Sequence, residues 1–445
     1  MKRSHHALAA IAGLSCAAMV LAACSSSGSG SGPGSGSKKG ALTASAPGIT
    51  PTTITIGSHQ PLTGPAAPGY SEIAPAANAY FQYVNAHGGI FGRKIVYKYL
   101  DDGYNPTTTS SVVHQLVLND NVYAIFNGLG TPTHLAVVQY LNSQQVPDVF
   151  VASGCECWND PTKYPDTFGW QLDYVREGKI LGNYIEQHFK GKKIGYFFQN
   201  DEFGQDGVKG LDMEIPKSDV VARESYVPTN TKIGPAVTAL KAAGAQVVVS
   251  FSIPAFTALL KLTALGLNYN PQLVVSDVGS DPITLAGLLN SFAKKSGSFG
   301  DTLINGIITD GYLPSLGDTS SPWISLFKKI HDQYDAKAPF DGNVLYGMSV
   351  GYTFVEAMFK AGRNPTRASL ISAINAGLPQ GASVAPYAYS GSDHNGITGA
   401  YMGIIKNGVL TPQGGVLVTD DSATGKVTAF STPQPAPPAS GIPSS

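Results

Sequence analysis

"KKIGYFFQNDEFGQDGVKGLDMEIPKSDVVARESYV", at residues 192–227, is the stretch that decides the fold class. Its first nine residues read as a short apolar strand, "FGQDGVKGLDMEI" has the pattern of a helix, and "VVARESYV" reads as a second strand. A helix between two short strands is typical of a right-handed crossover, which makes the strands parallel. The stretch therefore predicts a sheet covered by helices.

The same alternation continues on both sides of this stretch. Predicted helices separate further strands, which are predicted at 53–57, 93–100, 122–128, 246–252 and 271–278. Later helices include one that Thr366 is expected to cap, and a hairpin is predicted to turn at Asn407-Gly408. This order predicts an α/β fold of two three-layer α/β/α lobes, with the chain crossing between them more than once.

Composition limits the partners that the chain can have. The net charge is −1 and only 13% of the residues are charged, so no basic face for nucleic acid is expected. Roughly 380 residues separate the two low-complexity ends, which is longer than a single core usually reaches and predicts two domains. After residue 23 no stretch approaches 18 unbroken apolar residues, so no membrane-spanning helix is predicted there.

The two ends of the chain predict a leader, a linker and a tail. The basic start at Lys2-Arg3 and the apolar run up to residue 23 predict a signal peptide over residues 1–23. "LAAC" (21–24) resembles the lipobox of bacterial lipoproteins, which implies that a lipid on Cys24 anchors the protein to the outer face of the cell membrane. The alternative is an ordinary signal in which Cys24 is incidental. Residues 24–48 then form a Gly/Ser linker, and residues 429–445 are predicted to be a disordered Pro/Ser tail.

The sequence carries no recognisable catalytic motif. No G-x-S-x-G, HExxH or P-loop pattern occurs, and no two histidines outside the signal peptide have metal-ligand spacing. We therefore expect no enzyme activity, no catalytic residue, no metal and no cofactor. Cys155 and Cys157, in "GCECW", are either joined as a local disulfide or left as two thiols, and the sequence leaves this open.

Polar and glycine-rich loops follow three of the predicted strands. Ligands of open α/β sheets bind outside the carboxyl ends of the strands, so these loops are candidate binding loops. Thr131, Ser153 and the amides around Gly154 could supply the hydrogen-bond donors that a carboxylate needs. Each loop alone is also typical of simple turn chemistry. The loops are "HQPLTGPAAPGY" (59–70), "NGLGTPTH" (127–134) and "ASGCECW" (152–158).

Longer segments of the chain resemble a known family. "ITIGSHQPLTGPAAPGYSEI" (54–73), residues 76–117 and "QNDEFGQDGVKGL" (199–211) are similar, in order and spacing, to the periplasmic leucine/isoleucine/valine-binding proteins. These are the type I solute receptors of ABC importers. The resemblance implies two lobes that close on a ligand by a hinge, with residues 49–171 and 312–385 in the first lobe and 172–311 and 386–428 in the second. It also implies crossings near Leu172, near Asp310–Gly311 and near Pro386.

The resemblance also implies which residues line the ligand pocket. Tyr70 matches the aromatic residue of the first loop, and Thr131 replaces the serine that holds the ligand's carboxylate. Ser153 and Gly154 fall in a second carboxylate-binding loop. Phe203 stands where many relatives have tyrosine, so a hydroxyl contact is lost there.

Two acids and a tryptophan complete the implied pocket. Asp173 has two roles open to it: it either faces the ligand's ammonium group, which favours a zwitterion, or caps the helix that starts near Tyr174, which favours an uncharged or acidic ligand. Asp277 stands one place from the family's second acid, and Trp158 would add bulk to the pocket.

The implied function is that of a solute-binding lipoprotein of an ABC importer. Such a protein, expected to be a monomer, would capture a hydrophobic amino acid or a related small organic acid and deliver it to permease and ATPase subunits. A ligand-sensing receptor subunit of a signalling system is the alternative, because the same lobes serve that purpose. An extracellular hydrolase is a third and weaker hypothesis, since it requires a nucleophile and base that the sequence does not show.

Overall fold

The computed structural model describes residues 41–444. The predictions for the signal peptide, for Cys24 and for most of the linker therefore lie outside the described residues. Of the helices in the described part, none combines the length and the hydropathy that crossing a bilayer requires.

The strands of the described residues form two sheets. The first sheet has the order β2-β1-β3-β4-β5 and is parallel throughout. The second has the order β13-β12-β11-β10-β9-β8-β6-β7, parallel from β7 to β10 and antiparallel from β10 to β13. The strands are β1 (Thr53–Gln60), β2 (Lys94–Asp101), β3 (Ile125–Phe126), β4 (Asp148–Val151), β5 (Thr167–Gly169), β6 (Ile194–Gln199), β7 (Val220–Tyr226), β8 (Val247–Phe251), β9 (Gln272–Val275), β10 (Ile308–Gly311), β11 (Gly399–Lys406), β12 (Val409–Val418) and β13 (Thr428–Phe430).

Helices connect the parallel strands and cover the sheets. Strands β3, β4 and β8 are buried along their whole length, as expected for parallel strands with helices on both faces. The helices are α1 (Ala67–Tyr70), α2 (Ile73–Ala86), α3 (Pro106–His114), α4 (Thr131–Leu135), α5 (Val138–Ser143), α6 (Tyr174–His188), α7 (Glu202–Glu214), α8 (Gly234–Ala242), α9 (Pro254–Gly266), α10 (Pro282–Ala293), α11 (Phe299–Ile304), α12 (Pro322–Tyr334), α13 (Gly342–Ala361) and α14 (Arg367–Asn375).

The path of the chain divides these elements between two α/β lobes. Strands β1–β5 complete the first sheet before the chain enters the second sheet at β6. After β10, helices α12 and α13 return to pack against α2, which lies beside the first sheet. The chain then re-enters the second sheet at β11. The predicted two-lobed α/β fold is confirmed, whereas the exact residue boundaries of the lobes stay predictions.

Several local predictions agree with the structure for clear physical reasons. Asn407 and Gly408 both have positive φ angles, as a two-residue hairpin turn between β11 and β12 requires. Thr366 caps α14 in a reciprocal capping box with Ser369. These features depend on residues close in sequence, which is why the sequence alone predicts them.

The C-terminal segment differs from the predicted disordered tail. Strand β13 pairs with β12, and the chain beyond it lies against the helices of the first lobe. The Trp323 indole donates to the Pro435 carbonyl (2.7 Å), and the Tyr80 hydroxyl donates to the Gly441 carbonyl (2.9 Å). Proline-rich chain forms no helix, but its carbonyl groups remain free to accept side-chain hydrogen bonds. Composition does not reveal such distant donors.

Candidate ligand-binding site

A cavity of about 240 Å³ lies between the two sheets, at the carboxyl ends of several of their strands. Four residues that the sequence singled out line it. Tyr70 (α1) and Thr131 (α4) come from segments that follow strands of the first sheet, and Phe203 (α7) and Asp277 come from segments that follow strands of the second. The remaining wall is largely aromatic and aliphatic. The cavity therefore lies where ligands of open α/β sheets bind.

Glycine geometry places Thr131 at the cavity. Gly130 has a φ of 102°, and a Cβ at that position would lie 2.5 Å from atoms of Tyr104 and Thr133. Only glycine permits this backbone angle so close to Tyr104 and Thr133. The turn at Gly130 directs the chain so that Thr131 begins α4 and faces the cavity. The Thr131 hydroxyl lies 2.7 Å from the Ser153 hydroxyl, in hydrogen-bond contact.

Direct contacts close the cavity between the two lobes. The Tyr70 hydroxyl donates to the Val278 carbonyl across a distance of 2.5 Å. The Gly342 amide, at the start of α13, donates to the Asp281 carboxylate at 3.0 Å. Tyr70 lies in α1, which follows β1 of the first sheet, and Gly342 begins α13, which packs against α2 beside that sheet. Because Val278 and Asp281 follow β9 of the second sheet, these bonds span the cleft.

The polar wall of the cavity is acidic. The Asp277 amide donates to Glu177 (2.8 Å) and to Asp310 (3.1 Å), which brings three carboxyl groups together. Burial raises the pKa of Asp277 well above its usual value, and the Asp310 carboxylate raises it further, while a hydrogen bond with Tyr312 lowers it. Burial likewise raises the pKa of Glu177 to about 7. Among the described residues that line the cavity there is no Lys, Arg or His.

Asp173 caps helix α6 in the structure. This is the second of the two roles that the sequence left open. Its carboxylate accepts the Arg176 amide at 2.9 Å at the start of α6 and lies 3.0 Å from the Arg176 guanidinium. Burial raises the pKa of Asp173 to about 7, against the lowering effect of Arg176. Asp173 is not among the residues that line the cavity. Arg176 therefore balances the charge of Asp173 within the protein, and the charge preference of the cavity depends on Asp277, which does line it, so the uncharged or acidic ligand expected from a capping Asp173 does not follow.

Ser153, Gly154 and Trp158 also lie outside the cavity wall. Ser153 is buried behind Thr131, and the Trp158 indole donates to the Ser153 carbonyl at 3.0 Å. A Cβ on Gly154 would lie 2.4 Å from the Leu172 carbonyl and 2.9 Å from the Tyr174 ring. These residues support the wall from behind, because the α6 start and the Tyr174 ring lie between them and the ligand space.

Tyrosines that the sequence analysis missed line much of the cavity. Tyr174 is the most informative, since its ring packs on Phe203 with a centroid distance of 4.6 Å. Burial raises the pKa of Tyr174, while hydrogen bonds from the Gly154 backbone and the Ser153 and Thr131 hydroxyls lower it. A lone tyrosine after an N-cap carries no distinguishing signal in a sequence. The other tyrosines at the cavity are Tyr104, Tyr312, Tyr346 and Tyr401.

Two histidines, whose spacing in the sequence does not suggest that they meet, form a buried row of hydrogen-bonded side chains behind the segment that carries Thr131. His59 lies 2.8 Å from Asp102 and 2.9 Å from His134, which in turn lies 2.7 Å from Asp148. Burial lowers the pKa of His59, although Asp102 opposes this. A Cβ at position 128 would lie 2.5 Å from the His59 ring, so Gly128 makes room for this row of side chains. These bonds fix the loop that carries Thr131.

The structure joins the sulfur atoms of Cys155 and Cys157. The sequence left open whether these cysteines form a disulfide or remain two thiols, and the structure has the disulfide. The pair lies in the loop that follows β4, next to the short 3₁₀ turn Glu156–Trp158.

Comparison with known proteins agrees with this geometry. A family model described as "Periplasmic binding protein" matches residues 53–409. The chain is 28% identical to Leu/Ile/Val-binding protein homolog 3 of Brucella melitensis over 205 residues, which are 44% of this chain and 53% of that protein. The chain thus spans about half the length of that curated relative.

Solved structures share the fold. A branched-chain amino acid ABC transporter protein from Thermus thermophilus with bound valine has a TM-score of 0.72 at 18% identity, covering 83% of this chain and 97% of that one. A fatty acid ABC transporter substrate-binding protein from Thermomonospora curvata has a TM-score of 0.72 at 21% identity, covering 83% and 93%. The resemblance to the leucine/isoleucine/valine-binding proteins is confirmed, and the chain belongs to the periplasmic binding protein family.

Proposed function

We propose that this protein is an extracytoplasmic solute-binding lipoprotein of an ABC importer. It captures a small organic ligand in the cavity between its lobes and delivers it to a permease. The observation that carries this proposal is the cavity itself, which has walls from both lobes and a mouth closed by bonds such as Tyr70–Val278 and Gly342–Asp281. Such a site opens and closes when two lobes move about a hinge.

The names of similar proteins support transport of a small solute. One similar structure holds valine, and another is called a fatty acid transporter protein. A branched-chain amino acid or a related small organic acid is therefore the first ligand class to test. The similar proteins are named for different ligands, so the ligand class of this protein has to be decided from the residues of its own cavity.

The anchor and the partners are part of the same proposal. The "LAAC" pattern ending at Cys24 supports lipidation and attachment to the outer face of the cell membrane. A permease and an ATPase would complete the importer, with the protein acting as a monomer that shuttles between ligand and permease. Mass spectrometry of the mature N-terminus should find a diacylated Cys24, and an unmodified residue at that position would contradict the anchor.

A thermal-shift screen tests the binding function. A ligand that binds only the folded state stabilises it by about 2.7 kcal/mol at 100 times its dissociation constant, so a true ligand raises the melting temperature clearly. The screen should cover amino acids, carboxylic acids, amides and amines. Uptake of a labelled hit should then fail in a strain that lacks this protein. Binding without any loss of uptake would contradict the transport role.

A further inference from the structure

Within residues 41–444, no Lys, Arg or His forms an ion pair with the acids at or just behind the cavity wall. Asp277 faces the cavity, and Glu177 and Asp310 lie behind it. The nearest basic residues along α6 are committed elsewhere: Arg176 pairs with Asp173 and Asp393, and the Lys179 ammonium donates to the Asp420 and Ser422 carbonyls. A buried carboxylate requires a cation or a proton, so a ligand that supplies a cation is favoured here.

The position that the family resemblance assigns to a ligand carboxylate is already filled. Thr131, Ser153 and Gly154 were expected to donate to that carboxylate. In the structure Ser153 and Gly154 do not line the cavity, whereas the Tyr174 ring beside Gly154 does. The Thr131 and Ser153 hydroxyls bond each other at 2.7 Å. The close approach of the Tyr174 ring to Gly154 fixes this arrangement. A ligand carboxylate would have to displace that tyrosine.

The aromatic residues of the cavity wall can contact both the apolar part and the cationic part of one small molecule. Aromatic rings attract cations through their negative faces, and rings with one carboxylate form a common recognition site for ammonium groups. The cavity volume of about 240 Å³ restricts the ligand to a compact molecule. The aromatic residues that line the cavity are Tyr70, Tyr104, Tyr174, Phe203, Tyr312, Phe340, Tyr346 and Tyr401.

From these contacts we infer that the ligand is a small organic cation, a hydrophobic amine or quaternary ammonium compound without a carboxylate, whose positive charge faces Asp277. This inference about the ligand's chemical class rests on the proposed solute-binding function. The ligand's apolar part lies against the aromatic wall, and its charge replaces the proton that Asp277 would otherwise need.

Matched probes separate this class from amino acids and acids. 3-Methylbutylamine, leucine and 4-methylpentanoate share a branched alkyl group and differ in their charged groups. Choline and 3,3-dimethylbutan-1-ol differ in charge at nearly constant shape. We expect the amine to bind at least tenfold more tightly than leucine or the acid, and choline at least tenfold more tightly than its neutral analogue, by calorimetry on the full chain.

Two acid-to-amide variants locate the charge that binds the amine. Asp277→Asn should weaken binding of 3-methylbutylamine at least tenfold. Glu356→Gln, the same kind of change in an acid that does not line the cavity, should leave it unchanged. If Asp277→Asn does not fold, the choline pair still decides the role of ligand charge.

The outcomes distinguish this inference from the proposed function. Tighter binding of leucine or the acid than of the amine overturns the organic-cation class, yet leaves solute binding between the lobes intact. Equal binding of choline and its neutral analogue, or full amine binding by Asp277→Asn, also overturns it. Failure of both the amine and choline to bind overturns it as well, and the broad screen and the uptake assay then judge the proposed function separately.

Discussion

Asp281 connects two helix starts that belong to different lobes. One carboxylate oxygen caps α10 by accepting the Thr284 amide at 2.8 Å, and the other accepts the Gly342 amide of α13 at 3.0 Å. Burial and, to a smaller extent, the nearby Asp341 carboxylate raise the pKa of Asp281 to about 6. The residue therefore combines a local capping role with a bond across the cleft.

Replacing Asp281 should separate these two roles from each other. Asp281→Ala should lower the free energy of unfolding by about 1 kcal/mol, the usual cost of losing an N-cap. Thr366→Ala, which removes the cap of α14 and makes no contact across the cleft, is the matched control. Only Asp281→Ala should speed hydrogen exchange at the Gly342 amide. Equal exchange in both variants would remove Asp281 from the closure of the cleft.

Glu356, on the buried helix α13, should make the protein less stable at high pH. Burial raises its pKa to about 7, only partly opposed by Lys360. A raised carboxyl pKa contributes stability that is present below the unfolded value near 4.5 and is lost as pH rises through 7. Glu356→Gln should therefore stabilise the protein by about 2 kcal/mol at pH 8 and by much less at pH 5.

Urea unfolding at both pH values measures this effect. The exposed acid Glu202 gives the control, since Glu202→Gln should change the free energy of unfolding by no more than about 0.5 kcal/mol at either pH. A Glu356→Gln variant with the same stability as the parent at pH 8 would show that this carboxyl bears no burial penalty.

At the scale of single residues, the sequence predicted which segments line the cavity better than it predicted the role of each side chain there. Four of the predicted residues follow the carboxyl ends of strands and line the cavity: Tyr70, Thr131, Phe203 and Asp277. The role of Asp173 stayed open because an N-cap and a ligand-facing acid look identical in a sequence. The close approach of the Tyr174 ring to Gly154 joins the start of α6 to the loop after β4, so no local pattern could reveal it.

Among the larger elements, the C-terminal segment links the two lobes by its contacts. It leaves the second sheet at β13 and continues over α2 and α12 of the first lobe. The Tyr83 hydroxyl donates to the Ser440 carbonyl at 2.7 Å, and Gln434 donates to the Ala382 carbonyl at 2.6 Å. This segment thus adds a connection beyond the three crossings that the family resemblance implies.

Removing residues 431–445 should destabilise the first lobe. Each lost hydrogen bond contributes about 1 kcal/mol, and the bonds to Trp323, Tyr80 and Tyr83 give a combined loss of about 3 kcal/mol in the free energy of unfolding. Removal of residues 443–445 alone is the control, because it keeps all three acceptors. Equal urea midpoints for the two truncated proteins would mean that the segment does not stabilise the fold.

Helices, strands and turns could be predicted where the residues that determine them are close together in the sequence. The alternation of apolar strands and helices predicted the sheets, and Asn407-Gly408 predicted the hairpin, because turn geometry depends on adjacent residues. The C-terminal segment was predicted wrongly, since its order comes from donors such as Trp323 that lie more than a hundred positions away. The row of buried histidines was missed for the same reason, as His59 and His134 are 75 positions apart.

At the scale of the whole molecule, the proposed function depends on the cavity that both lobes share. Its walls come from the strand ends of the two sheets, and the bonds at its mouth join elements that a hinge motion would separate. A ligand between the lobes would contact both and so favour the closed form. Protection from solvent should consequently appear on both lobes together.

Hydrogen–deuterium exchange, with and without a ligand that raises the melting temperature, tests this claim most directly. We expect slower exchange in the ligand-bound protein on both lobes. The protected places are the segments carrying Tyr70 and Thr131, the residues around Asp277, and the start of α13 at Gly342. Protection confined to one lobe, or located away from these four places, would contradict a ligand site between the lobes.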